Sequence, residues 1–176
     1  MAESPDTQDL DTPKLLEILS SDLSSLLQSR DIKNPVMIGI HTGGVLVAEE
    51  LHKKLKIKQP LGSLNITFYR DDFTRIGMHP QVQPSSLPFA IDDQHIILVD
   101  DVLHTGRTIR AALNEIFDYG RPASVILVVL AERSGRELPI SADVAATRLK
   151  LEKNQHIKLT RLENTGALQL SITESK

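Results

Sequence analysis

Apolar residues recur at helical spacing near the start of the chain. Thr12 provides a hydroxyl cap, and Pro13 follows it at the first helical position. The apolar positions then repeat every three or four residues, at Leu15, Leu16, Ile18, Leu19, Leu23, Leu26 and Leu27. This spacing predicts a helix that ends near Arg30. The polar and acidic residues 1–9 predict a flexible tail, so the folded domain is expected to span residues 10–176.

The order strand, glycine turn, helix occurs twice along the chain. In the first copy the apolar run "VMIGI" after Pro35 leads into "HTGG" (residues 41–44) and a helix over residues 45–55. In the second copy "IILV" leads into a turn around Gly106 and a helix over residues 108–119. A glycine and a proline just beyond that helix favour its end there.

A third apolar run, "SVILVVL" (residues 124–130), has no polar position, as expected of a strand covered on both faces. Buried strands that alternate with helices predict an α/β domain with a mainly parallel, twisted sheet flanked by helices. Ligands of such sheets bind beyond the carboxyl ends of the strands, where the glycine turns are expected to lie.

Three other segments complete the pattern. "NITFY" (residues 65–69) is rich in β-favouring residues. Residues 70–93 contain three prolines and show weak periodicity, and their length favours a functional loop over a plain connector. "HIKLTRLENTGALQLSIT" alternates around residues 164–166 and predicts a C-terminal β-hairpin.

Composition narrows the function classes. The chain has 176 residues, enough for one domain that needs no disulfide, and it has no cysteine, which excludes thiolate metal sites and a cysteine nucleophile. No apolar run approaches the length of a membrane span and the start does not resemble a signal peptide, so we expect a soluble cytoplasmic protein. The net charge of −3 disfavours a globally basic nucleic-acid binder.

The segment "IILVDDVLHTGRT" combines two features that suit a phosphorylated sugar. Thr105, Gly106, Arg107 and Thr108 open a helix, so free N–H groups, two hydroxyls and the positive end of the helix dipole can hold a phosphate. Asp100 and Asp101 are acceptors that suit two adjacent hydroxyls. A phosphate and a vicinal diol describe ribose 5-phosphate, and the carboxylates would stabilise positive charge developing on its ring.

These residues resemble the signature of type I phosphoribosyltransferases, which bind phosphoribosyl pyrophosphate (PRPP). "GIHTGGVLVAEEL", "YRDD", "DYGRP" and "RELPI" further resemble the PyrR family of pyrimidine-operon regulators, which are also uracil phosphoribosyltransferases. The likeness covers residues 35–143. It implies pyrimidine salvage: N1 of uracil displaces pyrophosphate from PRPP to give UMP, with Mg²⁺ on the departing diphosphate.

The resemblance also implies roles for individual residues. The catalytic residues are Asp100, Asp101 and Arg70, and the two aspartates are also the expected metal ligands. The PRPP-binding residues are His41, Thr42, Gly43, Gly44, Asp100, Asp101, Val102, Leu103, His104, Thr105, Gly106, Arg107 and Thr108. A lid that excludes water comprises Tyr69, Arg70, Asp71, Asp72 and Arg75. The base pocket comprises Arg136, Glu137, Leu138, Pro139 and Ile140, with Arg136 facing the ligand.

The chain departs from the family pattern at three places. Gly43 stands where many relatives carry arginine, so Arg70 or Arg75 is expected to balance the charge of the pyrophosphate. Ser134 and Gly135 replace the usual Gly-His pair beside the base pocket. His104 occupies the place where purine phosphoribosyltransferases carry an aspartate that serves as base, which argues against a purine substrate.

Each motif also has an interpretation without a ligand. The aspartate pair could be solvated ahead of an ordinary helix cap, "HTGG" could be a tight turn, and "YRDD" an exposed charged turn. Arg136 could form a structural ion pair. His104, as an isolated histidine in a turn, is more often a spectator than a catalyst.

Two other functions stay open at this point. One is a UMP-responsive regulator that binds pyr leader RNA, with catalysis secondary. RNA-binding relatives use cations on the first helix and after "RELPI", where this chain has few, and the cluster Lys53, Lys54, Lys56 and Lys58 is also explained by the helix dipole. The other is a phosphoribosyltransferase for a different base.

The family implies a homodimer or larger homo-oligomer, and no role is predicted for residues 145–158.

Overall fold

The structure is a computed structural model that describes residues 7–66 and 84–175. Along the chain its elements are β1 (Thr7–Asp9), α1 (Thr12–Ser29), β2 (Val36–Ile40), α2 (Gly43–Lys54), β3 (Gly62–Leu64), β4 (His95–Leu103), α3 (Arg107–Tyr119), β5 (Ser124–Arg133), β6 (Val144–Leu149), β7 (Gln155–Arg161) and β8 (Leu168–Glu174). Within these ranges, none of the helices combines the length and the hydropathy that crossing a membrane requires.

Five strands form a parallel sheet in the order β3-β2-β4-β5-β6. The two strand–turn–helix units predicted from the sequence are therefore neighbours, because β2 pairs directly with β4, with Gly39 opposite Val99. The turns that follow these two strands lie at the same edge of the sheet. The predicted α/β fold with a mainly parallel sheet is confirmed.

Helices cover both faces of this sheet. The side chains of β4 alternate between two cores: Ile97 and Val99 pack with α1 and α2, whereas Ile96 and Leu98 pack with α3. All four side chains are fully buried, and each contributes about 2 kcal/mol through apolar burial. An apolar run without polar positions is thus explained by a strand between two helical layers.

A second sheet of three antiparallel strands has the order β1-β8-β7. The β7–β8 pair is the predicted C-terminal hairpin. Its Leu168 and Leu170 join the core on the α1 side of the large sheet. The tail predicted over residues 1–9 is too long, because Thr7–Asp9 pair with β8 and satisfy its outer edge.

Several element boundaries differ from the predictions. The cap of α1 is Asp11, whose carboxylate accepts from the Lys14 N–H at 3.1 Å, while the Thr12 hydroxyl donates to the Leu10 carbonyl. The strand expected over residues 65–69 can be compared only at residues 65 and 66, which follow the end of β3 at Leu64 and are not in a strand. Residues 67–69 lie outside the described residues.

The helices and strands around the two glycine turns begin earlier or end later than predicted. The helix α2 starts within the glycine turn and α3 starts at Arg107. The strands β4 and β5 continue to Leu103 and Arg133. Residues 145–158, for which no role was predicted, contain most of β6 and the start of β7.

Candidate functional site

Asp100 and Asp101 lie within β4 and not beyond its end. Asp100 is only 3% exposed. Its Oδ1 accepts a hydrogen bond from the Asp101 N–H at 2.9 Å, and Asp101 Oδ1 accepts one from the Val102 N–H at 2.9 Å. Each carboxylate is therefore held by the amide of the next residue, which fixes its direction.

The first glycine turn packs directly against these carboxylates. A Cβ added to Gly43 would lie 2.1 Å from Asp101 Oδ2, and one added to Gly44 would lie 2.5 Å from the Val99 carbonyl oxygen. Only glycine allows the backbone to approach β4 so closely. The peptide bond between His41 and Thr42 in this turn is cis. The structure thus brings together the two motifs that the sequence placed sixty residues apart, as "HTGG" and "DD".

The predicted phosphate-binding residues form the turn from β4 into α3. Gly106 is the residue before the helix and has φ +93°, a left-handed conformation that favours glycine. The Thr105 hydroxyl accepts from the Arg107 N–H at 3.2 Å. The remaining N–H groups of the first turn of α3, together with the helix dipole, provide an anion-binding end beside the aspartates.

The predicted base-pocket residues lie against this turn. The N–H groups of Glu137 and Leu138 donate to the Thr105 carbonyl at 3.0 and 3.1 Å. Arg107 Nε donates to Glu137 Oε2 at 2.8 Å. Arg136 is exposed and forms no ion pair with the residues that the structure describes, so the structural ion pair considered for it is not found there.

His104 lies in the turn after the aspartates and packs on the segment that holds the base-pocket residues. Its Nε2 would be 2.8 Å from a Cβ added to Gly135, whose φ of +106° also favours glycine. Partial burial and the Arg133 guanidinium lower the pKa of His104, although the Glu137 carboxylate opposes this shift. Burial also lowers the pKa of His41 in the first turn. Both imidazoles are therefore neutral at pH 7.

Part of the predicted site lies outside the described residues. These residues are Tyr69, Arg70, Asp71, Asp72 and Arg75. The catalytic role of Arg70, the lid, and the cation expected to balance pyrophosphate stay predictions.

The second sheet approaches the site, which the sequence pattern does not predict. Arg133, at the end of β5, donates from Nη1 to the Gln155 carbonyl of β7 at 3.0 Å. The next residue, His156, is close enough to contribute to the lowered pKa of His104. The alternating pattern of residues 155–161 predicted a strand, but periodicity carries no information about where a hairpin docks.

The aspartate pair fits a magnesium ion bound together with a phosphorylated ligand. Among the residues that the structure describes, no group of three or more metal-ligating side chains is found. Mg²⁺ does not require such a group, because it retains several waters and is held by one or two carboxylates together with substrate phosphates. Asp100 and Asp101 match this donor set.

Comparison with known proteins gives an independent result. A family model described as phosphoribosyl transferase domain matches residues 7–163. The chain is 60% identical over 170 residues to the bifunctional protein PyrR of Nitrosococcus oceani, covering 96% of this chain and 94% of that protein. It is 58% identical over 146 residues to the bifunctional protein PyrR of Pseudomonas aeruginosa, covering 83% of this chain and 86% of that protein.

Solved structures share the fold at low sequence identity. A hypoxanthine-guanine-xanthine phosphoribosyltransferase has a TM-score of 0.63 and 19% identity, covering 99% of this chain and 94% of that one. A hypoxanthine phosphoribosyltransferase from Staphylococcus aureus has a TM-score of 0.62 and 16% identity, covering 85% of this chain and 80% of that one. At this identity the similarity shows a common architecture and not a common substrate.

Proposed function

Because the chain belongs to the phosphoribosyltransferase family and, within it, to the bifunctional PyrR proteins, we propose that it transfers ribose 5-phosphate from PRPP to uracil, giving UMP and pyrophosphate. The observation that carries the proposal is the packing of Gly43 and Gly44 against Asp100 and Asp101, beside the N-terminus of α3. At this edge of the sheet the two carboxylates, which suit the ribose diol, therefore lie between two turns that suit phosphate groups.

Each part of the site has a chemical task in this reaction. The N–H groups at the start of α3 and the hydroxyls of Thr105 and Thr108 bind the 5-phosphate. Asp100 and Asp101 accept from the ribose hydroxyls, and their charge stabilises the cationic ring as the bond at the anomeric carbon breaks. The backbone of residues 41–44 binds the pyrophosphate that leaves.

Magnesium and the residues outside the described ranges complete the proposal. Asp100 and Asp101 would hold Mg²⁺ directly or through water, and the ion would neutralise charge on the departing diphosphate. Arg70 and Arg75 would supply the positive charge that Gly43 lacks. The homo-oligomer that the family implies stays a prediction.

The base is proposed to bind beside residues 136–140, which lie against the turn that holds the 5-phosphate. Backbone groups of this segment would read the edge of uracil, and Arg136 would face the ligand. The neutral His104 stands where purine enzymes use an aspartate as base, so the site lacks the carboxylate expected for a purine substrate.

Uracil is expected to be the preferred base in a turnover assay with PRPP and Mg²⁺. A site that hydrogen-bonds one base leaves buried polar groups unpaired with another, so kcat/KM for orotate, hypoxanthine and xanthine should be lower by at least about a hundredfold. Product formation with each base, measured by chromatography, checks this, with reactions lacking PRPP as the blank. Preferential turnover of hypoxanthine or xanthine would refute the assignment of a pyrimidine substrate.

Regulation through RNA is the second candidate, because the PyrR relatives are named bifunctional proteins. A groove of about 430 Å³ lies between α1 and β6. The family resemblance implies that RNA-binding relatives use cations on the first helix and after "RELPI". In this chain the groove is lined by Asp22 and Asp143, and Asp143 pairs with Arg30 at 3.1 Å. Arg148, also in the groove, pairs with Glu132 at 3.2 Å.

The lysine cluster near the end of α2 is a basic surface outside this groove. Lys54 pairs with Glu17, and Lys53 lies 3.9 Å from Glu50. Lys56 and Lys58 are exposed and form no ion pair with the described residues. Two exposed lysines favour only weak contact with phosphates.

We therefore expect weak binding of pyr leader RNA. In a gel-shift titration, the apparent Kd should lie in the range of non-specific binding, about 10⁻⁶ M or weaker at physiological salt. UMP should not strengthen it. Tight, salt-sensitive binding that UMP promotes would instead establish the regulator as a principal activity. An unrelated RNA of equal length serves as the control.

A further inference from the structure

The turn that opens α3 and the segment after β5 are connected by four consecutive contacts. His104 packs on Gly135, and the Thr105 carbonyl accepts from the N–H groups of Glu137 and Leu138. Leu138 Cβ would lie 3.3 Å from a Cβ on Gly106. The fourth contact is the ion pair between Arg107 and Glu137. Three of the four contacts involve backbone or packing, and only the ion pair joins two charged side chains.

This ion pair places the Glu137 carboxylate where the 5-phosphate of the substrate is expected to bind. Arg107 is the first residue of α3, so its side chain starts at the positive end of the helix dipole. Its Nε donates to Glu137 Oε2 at 2.8 Å, so a carboxylate already accepts from a cation at the place where the 5-phosphate is expected. A carboxylate and a phosphate at the same helix end repel each other, which weakens the binding of whichever arrives second.

The ion pair between Arg107 and Glu137 is also weak enough for a phosphate to replace the carboxylate. Both side chains are 50% exposed, and ion pairs of this exposure add little stability because water and salt compete for both partners. The two backbone hydrogen bonds to the Thr105 carbonyl do not depend on the Glu137 carboxylate. The carboxylate can therefore leave Arg107 while the segment stays attached to the turn.

We propose that Glu137 is a positioning residue that acts through Arg107: its carboxylate competes with the 5-phosphate of the substrate for that guanidinium. Before a phosphate binds, Glu137 holds Arg107 at the start of α3. A phosphate monoester that binds there takes over the guanidinium and displaces the carboxylate toward solvent. The inference rests on the proposed function, since it concerns the same phosphate site, and it gives Glu137 a task other than contact with the base.

Calorimetric titration with ribose 5-phosphate tests the competition. Glu137→Gln keeps the shape of the side chain and removes its charge, so the Kd should fall about two- to fivefold relative to the wild type at low salt. The gain should shrink at 0.5 M salt, as it does for interactions between exposed charges. Glu163→Gln, an exposed residue of the hairpin turn, is the matched control and should leave the Kd unchanged.

A double-mutant cycle with Arg107→Gln separates competition for Arg107 from a general loss of negative charge. If Glu137 acts through Arg107, the tightening caused by Glu137→Gln should largely disappear in the Arg107→Gln background. A Glu137→Gln variant that binds no tighter than the wild type overturns the inference, and so does a gain that persists in full without Arg107. A wild-type protein that binds no ribose 5-phosphate would overturn the proposed function itself.

Discussion

Replacing Asp100 and Asp101 together by asparagine is expected to abolish UMP formation and to leave the fold intact. Asparagine has the same shape, and its side-chain oxygen can still accept the N–H of the next residue, as the carboxylates do at 2.9 Å. The variant loses two negative charges where positive charge develops on the ribose. Removing such preorganised groups costs about a thousandfold or more in kcat.

UMP formation from uracil and PRPP in the presence of Mg²⁺ measures the effect, and thermal unfolding checks the fold. Asp118→Asn is the matched control, because Asp118 is exposed on α3 and lies near the opposite end of that helix from the site. The control should retain wild-type turnover. Near-normal UMP formation by the double variant would rule out the assigned role of the aspartate pair.

The fold could be predicted from the sequence wherever structure is decided locally. The apolar runs of β2, β4 and β5 identify buried strands, and the glycine turns after two of them identify the edge of the sheet that binds ligands. The strand β1 could not be predicted, because Thr7–Asp9 have no apolar pattern and their partner β8 lies at the other end of the chain. Pairing at that distance depends on the tertiary fold.

The positions of the candidate site residues could be predicted where they depend on local sequence, and their function stays a proposal. Asp100 and Gly106 are identified by their local pattern, since only certain residue types suit a diol and a left-handed turn. The ion pair of Glu137 with Arg107 was not predictable, because it depends on where the segment after β5 crosses the start of α3. The resemblance assigned Glu137 to the base pocket, whereas its side chain contacts the residue expected to bind phosphate.

Close packing against β4 explains why this chain has glycine at residue 43, where many relatives carry arginine. In this chain Gly43 lies so close to β4 that any side chain would overlap the Asp101 carboxylate. The identity of residue 43 and the position of Asp101 are therefore linked. Under the proposed function, Arg70 or Arg75 would supply the positive charge that this turn lacks.

Gly43→Ala is accordingly expected to reduce activity strongly and to lower the stability to a lesser extent. The added Cβ would lie 2.1 Å from Asp101 Oδ2 and 2.9 Å from Asp101 Cβ, so the carboxylate has to rotate away and the turn has to move slightly from β4. The helix α2 gains from alanine in place of glycine in its first turn, so the fold persists. The displaced carboxylate can no longer accept from the ribose hydroxyl, and kcat/KM should fall about a hundredfold, the cost of misplacing a reacting group by about 1 Å.

Alanine variants of two other glycines serve as comparisons, because they separate a loss of activity at the site from a loss of stability. Gly44→Ala would place a Cβ 2.5 Å from the Val99 carbonyl, a backbone atom that cannot rotate away, so this variant should lose stability as well as activity. Gly166→Ala meets no atom within 4 Å but has φ +70°, so it should cost about 1 kcal/mol of stability without affecting turnover. Steady-state kinetics and thermal unfolding of the three variants separate these outcomes. Wild-type kcat/KM in Gly43→Ala would show that Asp101 need not stay where β4 holds it.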